Sequence, residues 1–222
     1  GTMMDRQLTI YVIFDRGGRY FPGKEIVTRT ASGFHRQGYG DFFRRSKMLA
    51  NALRDKLGVK QGERVATFCW NHYQHLELYF GIPLIGAVLH TVNLRLFAEQ
   101  IVYIFNHAED RVLFVDRSVY PLLGPLMDKM PILETVVLIG EGKEPEAPRG
   151  KKLIDYEDLI DGASSDFEYI EMDERSALGL CYTSGTTGDP KGVLYSHRST
   201  VLHSMSVCQA SSLAVSEKDI CM

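Results

Sequence analysis

Residues 183–191, Thr183-Ser-Gly-Thr-Thr-Gly-Asp-Pro-Lys191, are the densest run in this chain of groups able to do chemistry. Glycines let successive backbone N–H groups turn toward one anion, hydroxyls add short donors, and lysine adds a positive point charge. Such a set suits a polyphosphate. The Walker A loop is excluded, because it needs Gly directly before its lysine and Ser or Thr directly after. Here Pro190 precedes Lys191 and Gly192 follows. The dinucleotide fingerprint is excluded as well, since Gly185, Gly188 and Gly192 do not have its spacing.

A loop of this kind must be held at both ends. Ala177 to Tyr182 reads as the strand that delivers it, and Gly192 to Tyr195 reads as extended, so the loop is predicted to join two strands, with a helix resuming near Ser199. Upstream, Phe42, Leu49, Leu53 and Leu57 form a helical stripe that Gly58 ends. A strand is predicted over 64–69, a buried helix over 73–87 bent near Pro83, and a short strand over 88–92. Ala98, Ile101, Val102 and Phe105 mark another helical face, followed by a strand at 112–115, a helix over 120–130 and a strand over 135–139. These strands are too uniformly apolar to expose one face. Their alternation with helices predicts an α/β fold, a mostly parallel sheet flanked by helices. Residues 140–150, with two prolines among charges, read as a surface loop, and 155–174 as a short helix with connectors.

A hydrophobic content of 45% and a charged content of 24% are those of a globular chain with a substantial core. A formal charge of -3 argues against a dedicated nucleic-acid binder, which would show a basic face, so no nucleic-acid partner is expected. Cys69, Cys181, Cys208 and Cys221 are scattered without a close pair and read as free thiols of a reducing compartment, the cytoplasm. His72 and His75 lie three apart on a predicted helix without a Glu or Cys arrangement beside them, and read as structural rather than metal-ligating. No apolar run reaches the length of a membrane span, and no secretory leader is visible.

The ordered string Thr-Ser-Gly-Thr-Thr-Gly-x-Pro-Lys-Gly resembles the phosphate-loop signature of the adenylate-forming, or AMP-binding, superfamily. Other segments resemble its long- and medium-chain fatty acyl-CoA synthetase branch. They are Gly86 to Leu96, Glu99-Gln-Ile101, Asn106 to Asp110, Asn71-His72 with His75-Leu-Glu77, Thr2 to Asp5, and Tyr195-Ser-His-Arg198 with Leu213 to Asp219. Leu94 stands where that branch usually has proline, and Asp189 where relatives often have an apolar residue; neither change removes a group the chemistry needs.

The resemblance implies the N-terminal portion of the large domain of an acyl-CoA synthetase. Residues 1–40 would be an arm and entry segment, and 41–222 part of an AMP-binding α/β domain with its phosphate loop at 183–191. It implies ATP and Mg2+ as cofactors, coenzyme A as co-substrate, and a fatty acid or other carboxylate as substrate. Thr183, Ser184, Gly185, Thr186, Thr187, Gly188 and Lys191 would grip the ATP phosphates. Lys191 would act as the catalytic charge and Thr183 would also touch the metal, while Tyr182 and His197 flank the loop in packing roles. A carboxylate nucleophile is already ionised at neutral pH, so no general base is needed. The branch also implies a homodimer, with Leu8, Ile10, Val12, Ile13 and Phe14 as an apolar arm able to reach a neighbour. Since members of the family are longer, the chain is expected to be an N-terminal piece that makes no acyl-CoA by itself. Two other readings stay open: an adenylating enzyme with another acceptor, such as a carrier protein or a luciferase-like oxidation, and a non-catalytic interaction fragment.

Overall fold

A computed structural model of the chain describes residues 3, 5–30, 32–183 and 189–221. Helix α1 (Ile10–Tyr20) leads into a two-stranded antiparallel hairpin, β1 (Glu25–Thr30) and β2 (Gly33–Gly38), and then into α2 (Tyr39–Asp55). The central unit follows as β3 (Arg64–Phe68), α3 (Tyr73–Leu84), β4 (Val88–Thr91), α4 (Ala98–Ala108) and β5 (Val112–Asp116). Next come α5 (Tyr120–Leu123), β6 (Thr135–Ile139), β7 (Lys152–Asp155) and α6 (Tyr156–Ile160), and finally β8 (Ala177–Thr183), β9 (Lys191–Ser196) and α7 (His197–Val207).

Seven strands form one sheet in the order β7-β6-β5-β3-β4-β8-β9. All neighbours in it run parallel except β8 and β9, which are antiparallel. Every residue of β5 and β6 is buried, as expected where helices cover both faces. Alternate residues go to opposite sides. Val65, Phe114 and Val137 pack with Phe14, Leu49, Leu53, Leu78, Ile82 and Tyr156 from α1, α2, α3 and α6. Ala66, Leu113, Val115 and Val136 pack with Ile101 and Phe105 of α4 and with Leu123 and Met127. Helices α2 and α3 approach closely at Gly81, where a Cβ would lie 2.7 Å from Leu49 Cδ2 and 3.1 Å from the Ser46 carbonyl oxygen.

Four features differ from the sequence expectation. The helix expected over 120–130 stops at Leu123 and continues as a 3₁₀ turn, Gly124–Lys129. Pro125 lacks the N–H that an α-helix would use there, and its ring would crowd the preceding turn. The hairpin of β1 and β2 was not foreseen, because its strands are largely polar and exposed. Strand β7 also went unforeseen, as a short edge strand with only intermediate burial. Last, the apolar residues assigned to a dimer-reaching arm are mostly α1, and Ile10 and Phe14 are 6% and 1% exposed within this chain's own core. An amphipathic helix satisfies that apolar stripe without a neighbour.

Candidate phosphate-binding site

The strand pair β8–β9 sets the site. Its register runs from Leu180↔Leu194 to Thr183↔Lys191, so Thr183 and Lys191 face each other where the hairpin opens, and both are exposed. Because β8 runs parallel to β4, this opening lies at the carboxyl edge of the parallel sheet, where α/β folds place ligands. Ser184, Gly185, Thr186, Thr187 and Gly188 lie outside the described residues. Helix α7 begins at His197, two residues before the expected Ser199, with a reciprocal Ser196–Ser199 capping box.

Tyr182, one residue before Thr183, is held from several sides. Its hydroxyl lies 2.6 Å from His107 Nδ1, and its ring centroid is 5.3 Å from that of His90. Across the strand pair it faces Gly192, where a Cβ would come within 3.4 Å of the Tyr182 ring and 3.1 Å of Leu180. The glycine after Lys191 therefore leaves room for the residue before Thr183. Beneath this ring, His90 Nδ1 and Asp110 Oδ2 lie 2.7 Å apart with no exposure, and burial pushes the Asp110 carboxyl up from its ordinary value.

His197 is fully buried, and its Nδ1 accepts the Ile10 N–H at 3.2 Å. That bond ties α1 to the first residue of α7, just past the return strand of the loop, a contact with no local mark because 187 residues separate the partners. Burial holds His197 down to about 4, and burial likewise holds His75 down to about 4. Both stay neutral in the folded chain, whereas the unfolded chain takes up their protons near the ordinary value of 6.5. Their stabilisation is thus complete above pH 6.5 and is lost as pH falls toward 4. In urea titrations at several pH values, the stability gap between wild type and His197→Gln should shrink by about 1–3 kcal/mol across that window. A gap independent of pH would contradict a neutral buried His197.

Among the described residues, one group has metal-ligand composition: Cys69, His72 and Asp116, whose ligand atoms lie within 4.8 Å of one another. Their hydrogen bonds argue against a metal. His72 Nδ1 accepts the His75 N–H at 3.1 Å, which leaves the proton on Nε2, donated to Asp116 Oδ1 at 3.0 Å. A ligating histidine instead donates from its other nitrogen. Burial also pushes the Cys69 thiol well above its ordinary value. His72 caps α3 while His75 bonds Thr67 and Trp70, so both act structurally.

Residues 14–222 match the family described as AMP-binding enzyme. A medium-chain-fatty-acid–CoA ligase of Ectopseudomonas oleovorans is 41% identical over 220 residues, 99% of this chain and 40% of that protein. A long-chain-fatty-acid–CoA ligase of Thermus thermophilus is also 41% identical over 220 residues, 99% of this chain and 39% of its own length. Among solved structures, the anthranilate CoA ligase AuaEII in complex with anthranoyl-AMP superimposes with a TM-score of 0.77 at 26% identity, covering 88% of this chain and 36% of that one. The chain therefore spans about two fifths of the length of the curated relatives it matches.

Proposed function

Because the chain belongs to the AMP-binding enzyme family, we propose that it is the phosphate-gripping part of an ATP-dependent fatty acid–CoA ligase. The observation that carries this reading is the pairing of Thr183 with Lys191 at the open end of β8–β9, on a chain 41% identical to two such ligases. In the first half-reaction a carboxylate attacks the α-phosphorus of ATP, forming an acyl-adenylate and releasing pyrophosphate. In the second, the thiol of coenzyme A attacks the acyl carbon and AMP departs.

The departing β- and γ-phosphates concentrate negative charge, and groups aimed at them lower the barrier. Lys191 supplies the positive charge, and Thr183 with Ser184, Gly185, Thr186, Thr187 and Gly188 supplies hydroxyl and backbone donors. Thr183 also offers one exposed hard oxygen, which fits magnesium's habit of drawing most ligands from phosphate and water. Bound there, the ion would neutralise phosphate charge alongside Lys191. Tyr182 and His197 serve as supports.

A fatty acid is the substrate in this reading. The equal identity to medium- and long-chain ligases leaves chain length undecided. A cytoplasmic location accords with four unpaired cysteines, and no helix among the described residues is long and apolar enough to cross a membrane. Two-fold pairing belongs to the same reading, through a surface other than the buried face of α1. The test is ATP–pyrophosphate exchange by the complete protein across a series of fatty acids, followed by thioester formation on adding coenzyme A. Carboxylate-dependent exchange is expected. Its absence with every acid would remove the ligase reading.

A further inference from the structure

A second crevice lies at the carboxyl edge, away from the phosphate loop. From β3 the chain crosses through α3 to β4 on one side, then returns through α4 to β5 on the other side of β3. Helices α3 and α4 cover opposite faces of the sheet, so the segments leaving β3 and β5 diverge. Such a switch in strand order opens a crevice where α/β proteins bind ligands. Here it has a volume of about 940 Å3, bounded by residues 70–74, 116–118, 139–141 and 155–157 together with α2 and the hairpin. None of its described lining residues belongs to β8, β9 or residues 183–191.

We propose that this crevice binds an uncharged nitrogen-heteroaromatic ring of nucleobase type. Three observations on its walls select that chemistry. The first is flat surface. Trp70 is 52% exposed, with its Nε1 donating to Ser118 Oγ at 3.2 Å, and His35 stacks on Tyr73 with centroids 3.9 Å apart and planes at 17°. Aromatic side chains of this kind stack on bases.

The second is charge. Arg36 pairs with Glu25, Arg44 with Asp41, Arg45 with Glu77 and Glu157, and Arg117 with Asp155, while the Asp116 carboxylate accepts the Trp70 N–H and the Nε2 proton of neutral His72. Among the described lining residues only Arg29 and Glu141, one of each sign, have neither an ion-pair partner nor such hydrogen bonds. A charged guest would have to compete with pairs already made. The third is an orphan: His35 Nε2 is buried without a hydrogen-bond partner among the described residues. A buried polar atom left unpaired calls for a partner, and a ring nitrogen or exocyclic amine at the edge of a stacked base would supply one.

Trp70 is the only tryptophan in the chain, so its emission reports on this crevice directly. The probe is adenosine, with AMP as the charged comparison. Adenosine should change Trp70 emission saturably below ~10 mM, the range of a weak single-ring site. His35→Leu and Tyr73→Leu should each weaken it about tenfold, the scale of one lost stacking contact. Lys191→Ala should leave it unchanged. Circular dichroism checks that the variants fold, and equilibrium dialysis with Trp70→Phe gives a readout independent of fluorescence. No saturable binding by either method would overturn the proposal. So would an emission change lost in Lys191→Ala but kept in the crevice variants, or a Trp70 emission change that AMP produces at lower concentration than adenosine. None of these outcomes bears on the ligase reading, which pyrophosphate exchange tests separately.

Discussion

Lys191→Ala in the complete protein should lower carboxylate-dependent pyrophosphate exchange roughly 10–1000-fold, the range for removing one charge aimed at a transition state. The loss should fall on turnover and leave the KM of the carboxylate little changed. Lysine acts in this reading on the leaving pyrophosphate, whose charge grows as the bond to the α-phosphorus breaks. The folded state should be unaffected, because Lys191 is exposed at the first position of β9 and its side chain makes no hydrogen bond or ion pair among the described residues. A Lys191→Arg variant should recover part of the rate, since it restores the charge but not its point-like geometry. Exchange at the wild-type rate in Lys191→Ala would eliminate the role assigned to this residue.

Glu77→Ala should destabilise the fold by about 3–5 kcal/mol, the cost of stripping one partner from a buried ion pair. The Glu77 side chain is fully buried on α3. Arg45 of α2 donates to it through Nε at 2.7 Å and Nη2 at 3.2 Å, and the Tyr156 hydroxyl donates at 2.6 Å. Burial pushes the Glu77 carboxyl up from its ordinary value, and the Arg45 guanidinium, Tyr156 and Gln37 oppose that push. Removal leaves the Tyr156 hydroxyl, only 1% exposed as a residue, without its acceptor, and leaves Arg45 with Glu157 alone. A double change, Glu77→Leu with Arg45→Met, should cost clearly less than Glu77→Ala, because an apolar pair of similar volume carries no uncompensated charge. Urea denaturation reads both. A Glu77→Ala protein within about 1 kcal/mol of wild type would mean that the network adds nothing to stability.

The strands of the parallel sheet were legible because burial on both faces leaves a local mark. Thr135 to Ile139 is a strand with the bounds its unbroken apolar run predicts, and Val112 to Val115 extends by one residue to Asp116. The two strands around the phosphate loop were legible for a different reason: Gly192 to Tyr195 lacks the helix that a Walker A loop requires after its lysine. Elements with weaker local marks were missed. The hairpin of β1 and β2 is polar on most positions, and β7 takes its identity from pairing with β6. The apolar run in residues 8–14 was legible as an apolar arm, but neither its helical form nor its destination was. It folds as α1 onto this chain's own core rather than toward a second copy.

By itself the sequence determined the class of fold and which residues are candidates to grip a polyphosphate. Glycines, hydroxyls and one lysine within nine residues carry their own reactivity, and strand–helix alternation is written in neighbouring positions. Only the tertiary structure decided which distant groups meet. It placed Thr183 opposite Lys191, set Glu77 between Arg45 and Tyr156 at separations of 32 and 79 residues, and joined His197 to Ile10. It also read the two histidines 72 and 75 as cap and core, and grouped Trp70, His35 and Tyr73 around one crevice. Such contacts depend on strand order and helix crossing, which no local spacing encodes, so they come into being only when the sheet and its two covering layers assemble.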